Sequence, residues 1–222
     1  LAHLLHGEET IKEDQGLFLE ETWRLHPSIC AFTSDLFYIG KLEAREHNAR
    51  QVVHTNTAVS GAGLWYFPVD HTGNINSSLE EVNAIEALVS SLLEGNPTWT
   101  DRDGNTHELT EEDILVITPY NAQVYEIQQR LPNICVGTVD KFQGQEAPIA
   151  IYSTATSTQA DAPRGMEFLY NLNRFNVATS RAQCACILVT SPSLLEADCR
   201  TPKQMRLANA FCRYKELAQE LS

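Results

Sequence analysis

The run Cys184–Thr190, CACILVT, decides the fold, because an apolar stretch of this length between polar segments suits a strand buried on both faces. Three similar runs precede it: GLWYFPV within Gly61–Val69, DILVIT from Asp113 and IAIYST from Ile149. A shorter strand is predicted at ICVGTV from Ile134. Between and before these runs lie helical patterns at Pro27–Tyr38, Ser78–Leu93, Asn121–Leu131 and Phe168–Arg181.

This alternation predicts an α/β domain with a mainly parallel sheet covered on both faces. Gly95–Asn105 and Ser157–Gly165 have the composition of loops, and Ser78 with Glu81 three residues on predicts a capping box. We expect residues 1–60 to wrap this domain as a helical or irregular segment, and 61–222 to form the lobe itself, one domain overall. Because Leu1 opens directly into a helical pattern, we expect a longer natural protein.

The composition limits the possible partners. Sixteen Lys and Arg residues against 29 Asp and Glu residues give a net charge of -13, which opposes strong autonomous binding to a phosphate backbone but leaves room for a local groove. No apolar run reaches the length of a membrane span, so we expect a cytoplasmic protein without membrane contact.

The six cysteines show no C-x-x-C pair, which favours reduced core thiols over a metal site. Cys184 and Cys186 lie two apart in a predicted strand and should therefore share one face.

No G-x-x-x-x-G-K-[ST] phosphate-binding motif occurs anywhere in the chain, which excludes a complete P-loop ATPase. Three polar clusters nevertheless lie at the carboxyl ends of predicted strands or at helix starts, where open α/β sheets bind ligands.

Four ordered segments carry a specific resemblance: TWRLHPSICAFTSDLFYIGKL at Thr22–Leu42, ITPYNAQV at Ile117–Val124, VGTVDKFQGQE at Val136–Glu146 and LNRFNVATSRA at Leu172–Ala182. Together they resemble the Upf-type, or DNA2-like, branch of superfamily 1 helicases. The last two, extended to GTVDKFQGQEAPIAIYS and RGMEFLYNLNRFNVATSRA, are similar to bacterial proteins that join a RecB-like nuclease to such a helicase.

The resemblance implies a RecA-like, three-layer α/β/α second motor lobe that lacks a P-loop. In this family ATP with Mg²⁺ lies between two lobes, and the first lobe supplies the P-loop lysine and the Mg²⁺ ligands. The resemblance places Arg24 and Arg181 at the γ-phosphate as catalytic residues. The alternative for either is a surface or helix-capping arginine.

Other nucleotide contacts follow from the same resemblance. Trp23 takes the place of a tyrosine that stacks on adenine, and Glu146 that of a carboxylate that accepts hydrogen bonds from the ribose. Gly144 would let the backbone approach the nucleotide, and Gln143 would couple it to the nucleic-acid groove. The alternatives are a core tryptophan for Trp23 and a solvated turn residue for Glu146.

The resemblance also implies a set of mostly uncharged nucleic-acid contacts. Hydroxyl and amide groups at strand ends bind phosphate without a net positive charge. Ordinary helix capping is the alternative for Thr118, Asn121 and Thr138. Where many relatives have a second arginine, this chain has Gln183. The residues concerned are Thr118, Tyr120, Asn121, Gln123, Thr138 and Asp140.

These expectations describe the second lobe of an ATP-driven helicase that moves 5′ to 3′ on single-stranded nucleic acid, DNA rather than RNA. Its partners would be the first lobe of the same chain and a fused RecB-like nuclease. The alternative is a non-catalytic nucleic-acid or protein interaction module. A nuclease domain would need clustered acidic residues with a lysine, and none stands out.

We predict that the chain by itself hydrolyses no ATP, because the P-loop lysine and the Mg²⁺ ligands are absent from its sequence. It should bind single-stranded nucleic acid only weakly, because its net charge repels phosphates. A phosphate-release assay and fluorescence anisotropy test the two statements. Turnover by the purified chain, or submicromolar affinity at physiological salt, would contradict them.

Overall fold

The computed structural model describes residues 17–142 and 144–222. Its helices are α1 Pro27–Phe37, α2 Leu79–Leu92, α3 Asn121–Arg130, α4 Met166–Leu169, α5 Leu172–Thr179 and α6 Pro202–Leu217. Its strands are β1 Glu21–Thr22, β2 Glu43–Ala44, β3 Val52–His54, β4 Gly63–Pro68, β5 Thr98–Thr100, β6 Thr106–Glu108, β7 Ile114–Thr118, β8 Cys135–Thr138, β9 Ala147–Ser153, β10 Ala182–Thr190 and β11 Gln219–Glu220.

Six strands form the central sheet in the order β11-β4-β10-β9-β7-β8, and every pairing between them is parallel. The predicted α/β class is therefore confirmed. In β7 and β9 each residue is buried, and in β10 all but Gln183 are, as expected for strands covered by helices on both faces.

Each face of the sheet has its own apolar core. On one face α1, α5 and α6 pack on side chains such as Tyr66 and Tyr152, and Phe175 stacks on Phe211 with 4.2 Å between ring centroids. On the other face α2 and α3 pack on Trp65 and its neighbours. The result is the three-layer α/β/α arrangement, and α1 of the predicted wrapping segment belongs to its first layer.

Several local predictions are corrected. The predicted helix Phe168–Arg181 breaks into α4 and α5, because Asn171 caps the second helix through its side chain. The predicted loop Gly95–Asn105 contains β5, which pairs with β3 and β6 in a separate antiparallel sheet. Helix α6 and strand β11 follow the last predicted strand and were not predicted from the sequence.

The two neighbouring cysteines of β10 face opposite cores. A β-bulge between Ala182 and Ala185 shifts the register, so Cys184 packs in the Trp65 core and Cys186 in the Phe175 core. The prediction that they share a face is wrong for this reason. Burial raises the pKa of each thiol to about 12, which keeps both groups neutral.

A fully buried carboxyl group joins α2 to the end of β9. Glu81 contacts His71 Nε2 at 3.0 Å and accepts hydrogen bonds from the Ser153 hydroxyl at 2.5 Å and the Ala155 N–H at 3.0 Å. Ala155 has a positive φ of 64°, which is unfavourable for a residue with a Cβ. The carboxyl group thus holds a strained turn at the carboxyl end of β9.

The predicted capping box at α2 forms differently. Ser78 is the N-cap and accepts from the Glu81 N–H at 3.1 Å, but the Glu81 side chain points to the buried network. Gln123 of α3 replaces the Glu81 side chain in the box, because the Gln123 side-chain oxygen accepts from the Ser78 N–H at 2.8 Å. No helix in the described part of the chain is long and apolar enough to cross a membrane.

We predict that Glu81→Ala lowers the free energy of unfolding by about 3–5 kcal/mol, the usual cost of removing one partner from a buried pair. His71 and the turn at Ala155 would lose their partner in a buried site. Urea unfolding followed by tryptophan fluorescence measures the change. The matched control is Glu86→Ala in the same helix, whose exposed pair with Arg130 should contribute less than about 1 kcal/mol. Equal effects of both substitutions would refute the structural role of Glu81.

Candidate functional site

Parallel pairing brings two of the predicted nucleotide residues to one edge of the sheet. Glu146 immediately precedes β9 and Arg181 immediately precedes β10, and the two strands start in register at Ala147 and Ala182. Both residues therefore lie at the amino ends of the strands. The expectation that all polar clusters lie at carboxyl ends or helix starts is corrected for this pair.

Arg24 reaches the same edge from the segment between β1 and α1. Its Nε donates to a Glu146 carboxylate oxygen in an ion pair, and its Nη1 donates to the Ser180 carbonyl at 3.2 Å. The backbone of this segment is fixed by the His26 N–H, which donates to the Gln183 carbonyl at 3.1 Å. His26 also caps α1, with Pro27 in its first turn.

These side chains line one open cleft of about 570 Å³, which contains Trp23, Arg24, Glu146 and Arg181 in its wall. Gly144 lies nearby in an exposed turn with φ of 88°, a conformation that favours glycine. Gln143 lies outside the described residues. The structure thus brings together the predicted nucleotide side chains that it describes.

Trp23 is 52% exposed, so the alternative of a core tryptophan is excluded. The guanidinium carbon of Arg45 lies 3.8 Å from the centroid of the Trp23 ring, and that of Arg102 lies 5.9 Å away. Such contacts fix the indole by cation–π attraction. An aromatic surface with a preset orientation therefore stands at the mouth of the cleft.

Its position at a helix end predicts that Arg181 is partly exposed and has no buried carboxylate partner, but in the structure Arg181 is only 9% exposed. Its Nε donates to the Val177 carbonyl at 3.0 Å, and its Nη1 donates to the Phe142 and Gln145 carbonyls at 3.2 and 3.0 Å. These bonds tie the end of α5 to the turn before β9. Within the described residues Arg181 has no carboxylate partner, and its Nη2 has no hydrogen bond.

The charges at this edge are coupled. Partial burial raises the pKa of Glu146, but the hydrogen bond and charge of Arg24 and the hydrogen bond from Gln183 outweigh it, so the net pKa is lowered. Burial and then the charge of Arg24 lower the pKa of Arg181. Glu146 is thus an ionised carboxylate between two cations that repel each other.

Sequence reasoning left the role of Gln183 open and missed Arg102. The Gln183 amide donates to the second Glu146 oxygen at 3.0 Å, so it orients the carboxylate without adding charge. Arg102 lies in the turn between β5 and β6 and donates to the Trp23 carbonyl at 2.9 Å. Arg102 reaches Trp23 because β5 and β6 pair in an antiparallel sheet, whereas the sequence predicts a loop at Gly95–Asn105.

The predicted nucleic-acid residues lie at the opposite edge, where β7 and β8 end side by side at Thr118 and Thr138. Asn121 and Asp140 are exposed and Thr138 is half-buried, whereas Thr118, Tyr120 and Gln123 are buried. The Gln123 side chain is engaged at both ends, because its oxygen accepts from the Ser78 N–H and its nitrogen donates to the Ser153 hydroxyl at 3.0 Å. This corrects the expectation that its amide faces a ligand.

Two groups at this edge have unused hydrogen-bonding capacity. The buried Thr118 hydroxyl has no hydrogen-bond partner in the described part of the chain. Helix α3 begins after Tyr120 without a side-chain cap, so Thr118 does not cap it. The first N–H groups of α3 therefore remain available to an acceptor such as a phosphate oxygen. Among residues 17–142 and 144–222 no group of three or more His, Cys, Asp or Glu side chains could hold a metal ion.

The comparison with protein families decides the assignment, because the model of the AAA domain family matches residues 3–193. The chain belongs to the AAA domain family. Several of its relatives are named as helicases, which supports the coarser assignment of this AAA domain to the C-terminal lobe of a superfamily 1 helicase.

Three relatives show the range of the similarity. Helicase sen1 of Schizosaccharomyces pombe is 31% identical over 83% of this chain, and putative helicase mov-10-B.1 of Danio rerio is 30% identical over 81% of it. DNA polymerase alpha-associated DNA helicase A of Schizosaccharomyces pombe is 30% identical over 78%. The matched regions are 11%, 20% and 28% of these proteins, so the AAA domain spans a minor part of each.

We predict that Arg24→Ala raises the pKa of Glu146, because the burial that remains favours the neutral acid once the cation is gone. A carbon-detected NMR titration of the side-chain carboxyl group gives the value. In the unaltered protein the ion pair adds stability above the unfolded pKa of glutamate, and this is lost as the pH falls through the lowered folded pKa. Arg130→Ala, which removes a distant exposed arginine, should leave the Glu146 titration unchanged. An unchanged titration in Arg24→Ala would show that the pair does not form in solution.

Proposed function

We propose that this AAA domain is the second motor lobe of an ATP-dependent helicase that translocates on single-stranded nucleic acid. One observation carries the proposal: Trp23, Arg24, Glu146 and Arg181 line a single cleft. The polar strand ends Thr118 and Thr138 occupy the opposite edge of the sheet. The two edges thus offer separate places for nucleotide and nucleic acid.

The cleft residues fit one side of a nucleoside triphosphate. Trp23 presents an exposed aromatic surface to a base, and Glu146 is an ionised acceptor for ribose hydroxyls. Arg24 and Arg181 provide guanidinium groups that can neutralise charge developing on a phosphoryl group. ATP is the proposed substrate, with Mg²⁺ and the P-loop lysine supplied by the first lobe.

The ion pair between Arg24 and Glu146 allows an exchange of hydrogen-bond partners when phosphate binds. A phosphate oxygen that takes the Nε donor of Arg24 displaces the Glu146 carboxylate from it, and Glu146 can then accept other hydrogen bonds. Gln183 keeps its hydrogen bond to Glu146 throughout, which preserves the orientation of the carboxylate. Arg181 keeps the turn before β9 in place through its Nη1, and its side chain lines the cleft.

The finer features are also proposals. Resemblance to the Upf-type branch supports 5′ to 3′ movement, and resemblance to nuclease-helicase proteins supports DNA as the track and a fused RecB-like nuclease. A cytoplasmic location is proposed as well. The names of the relatives include a DNA helicase and the RNA helicase Mov10l1 of Mus musculus, so both polymers belong in the test.

We predict that Arg24→Ala in the intact protein lowers the strand-stimulated kcat for ATP by on the order of 10³-fold, as loss of an arginine finger does. The side chain is 29% exposed, so the fold should be retained. Steady-state phosphate release with and without single-stranded DNA or RNA measures the effect. Arg130→Ala is the control, since its exposed side chain lies outside both edges.

Arg181→Ala should lower kcat to a similar degree and in addition destabilise the lobe, because three carbonyl groups lose their donor. Arg181→Lys should rescue little, because an ammonium group lacks the planar fork. Near-normal turnover in Arg24→Ala would show that Arg24 is not the arginine finger, and the absence of strand-stimulated ATPase in the intact protein would count against the motor function and favour a non-catalytic binding module.

A further inference from the structure

A cluster of two arginines around one aromatic ring stands apart from the nucleotide cleft. The guanidinium carbons of Arg164 and Arg174 lie 4.7 and 4.4 Å from the centroid of the Phe168 ring. The Tyr120 ring packs against the same phenylalanine at 5.6 Å between centroids. We call these four residues the Phe168 cluster.

The Phe168 cluster lies at the carboxyl edge of the sheet. Tyr120 follows the end of β7, and its hydroxyl contacts that of Thr156, just beyond β9, at 3.4 Å. Arg174 in the first turn of α5 pairs with Asp140 beyond the end of β8 at 3.7 Å. Three neighbouring strands therefore end beneath the cluster, beside the exposed Asn121.

The cluster carries an excess of positive charge in an acidic protein. Both guanidinium groups contact one ring, so they lie less than about 10 Å apart, the Debye length at 0.1 M salt. Asp140 is the one carboxylate paired with either of them among the described residues, and its side chain is 80% exposed. Arg164 is exposed and has no carboxylate partner in that part of the chain.

The contacts with Phe168 preorganise Arg164 and Arg174 for binding an anion. Contact with the face of Phe168 restrains two flexible side chains, which lowers the entropy lost when they bind a ligand. The mutual repulsion of two guanidinium groups is relieved when anionic oxygens bind between or beside them. Both cations act on Tyr120 as well, since they oppose the burial that raises its pKa.

We propose that Arg164 and Arg174, held by Phe168, bind the phosphodiester backbone of single-stranded nucleic acid where it crosses the carboxyl edge of the sheet. This rests on the proposed function and adds the cationic contact that the predicted residues at that edge lack. Arg164 makes the main phosphate contact. Asp140 competes with phosphate for Arg174 and so weakens binding.

The test uses the chain itself with fluorescein-labelled oligothymidylate and oligouridylate, measured by anisotropy at a series of salt concentrations starting near 0.01 M. Arg164→Ala should weaken binding several-fold and reduce the salt slope of log K by about 0.7, the value for one phosphate contact on a single strand. Asp140→Asn should strengthen binding, because it frees Arg174 to contact phosphate.

Arg200→Ala is the matched control, because Arg200 is an exposed arginine that pairs with Asp198 before α6. It should bind as the unaltered chain does. Thermal unfolding of each variant shows whether the fold is retained, which we expect since Arg164 is exposed.

Two outcomes overturn the inference. If the unaltered chain binds and Arg164→Ala binds equally well with the same salt slope, the cluster is a structural cation–π contact, and the proposed function stands. If the unaltered chain fails to bind at low salt, the inference falls, whereas strand-stimulated ATPase of the intact protein still decides the motor function separately.

Discussion

The parallel pairing of β9 with β10 is the constraint on which the candidate site depends. Because the two strands run side by side in the same direction, the residues just before them, Glu146 and Arg181, must emerge at one edge. Their charges then face Arg24, which the segment before α1 brings to the same place. Without this register the Glu146 carboxylate and the two guanidinium groups would not lie at the same edge of the sheet.

The sequence predicts those features that depend on local pattern. Apolar runs marked the main strands, and motif order marked Trp23, Arg24, Glu146 and Arg181, which the structure places around one cleft. The burial of Gln123 could not be foreseen, because its partners Ser78 and Ser153 are distant in the chain. The opposite orientation of Cys184 and Cys186 depends on a bulge that no periodicity reveals.

The position of the arginines would allow an acidic domain to bind the proposed anionic ligands. The net charge of -13 repels phosphates at a distance, but salt screens that repulsion beyond about 10 Å. Within that range the local groups dominate, and at each edge two arginines face a single paired carboxylate. Long-range repulsion combined with short-range attraction would make the proposed binding of phosphates local and weak.

Helix α5 spans the distance between these two edges. Arg174 lies in its first turn, and Arg181, two residues past its end, is fixed back to the Val177 carbonyl. An α-helix has a fixed rise of about 1.5 Å per residue and does not stretch. If α5 moves along its axis as a rigid body, Arg174 and Arg181 are displaced by the same amount.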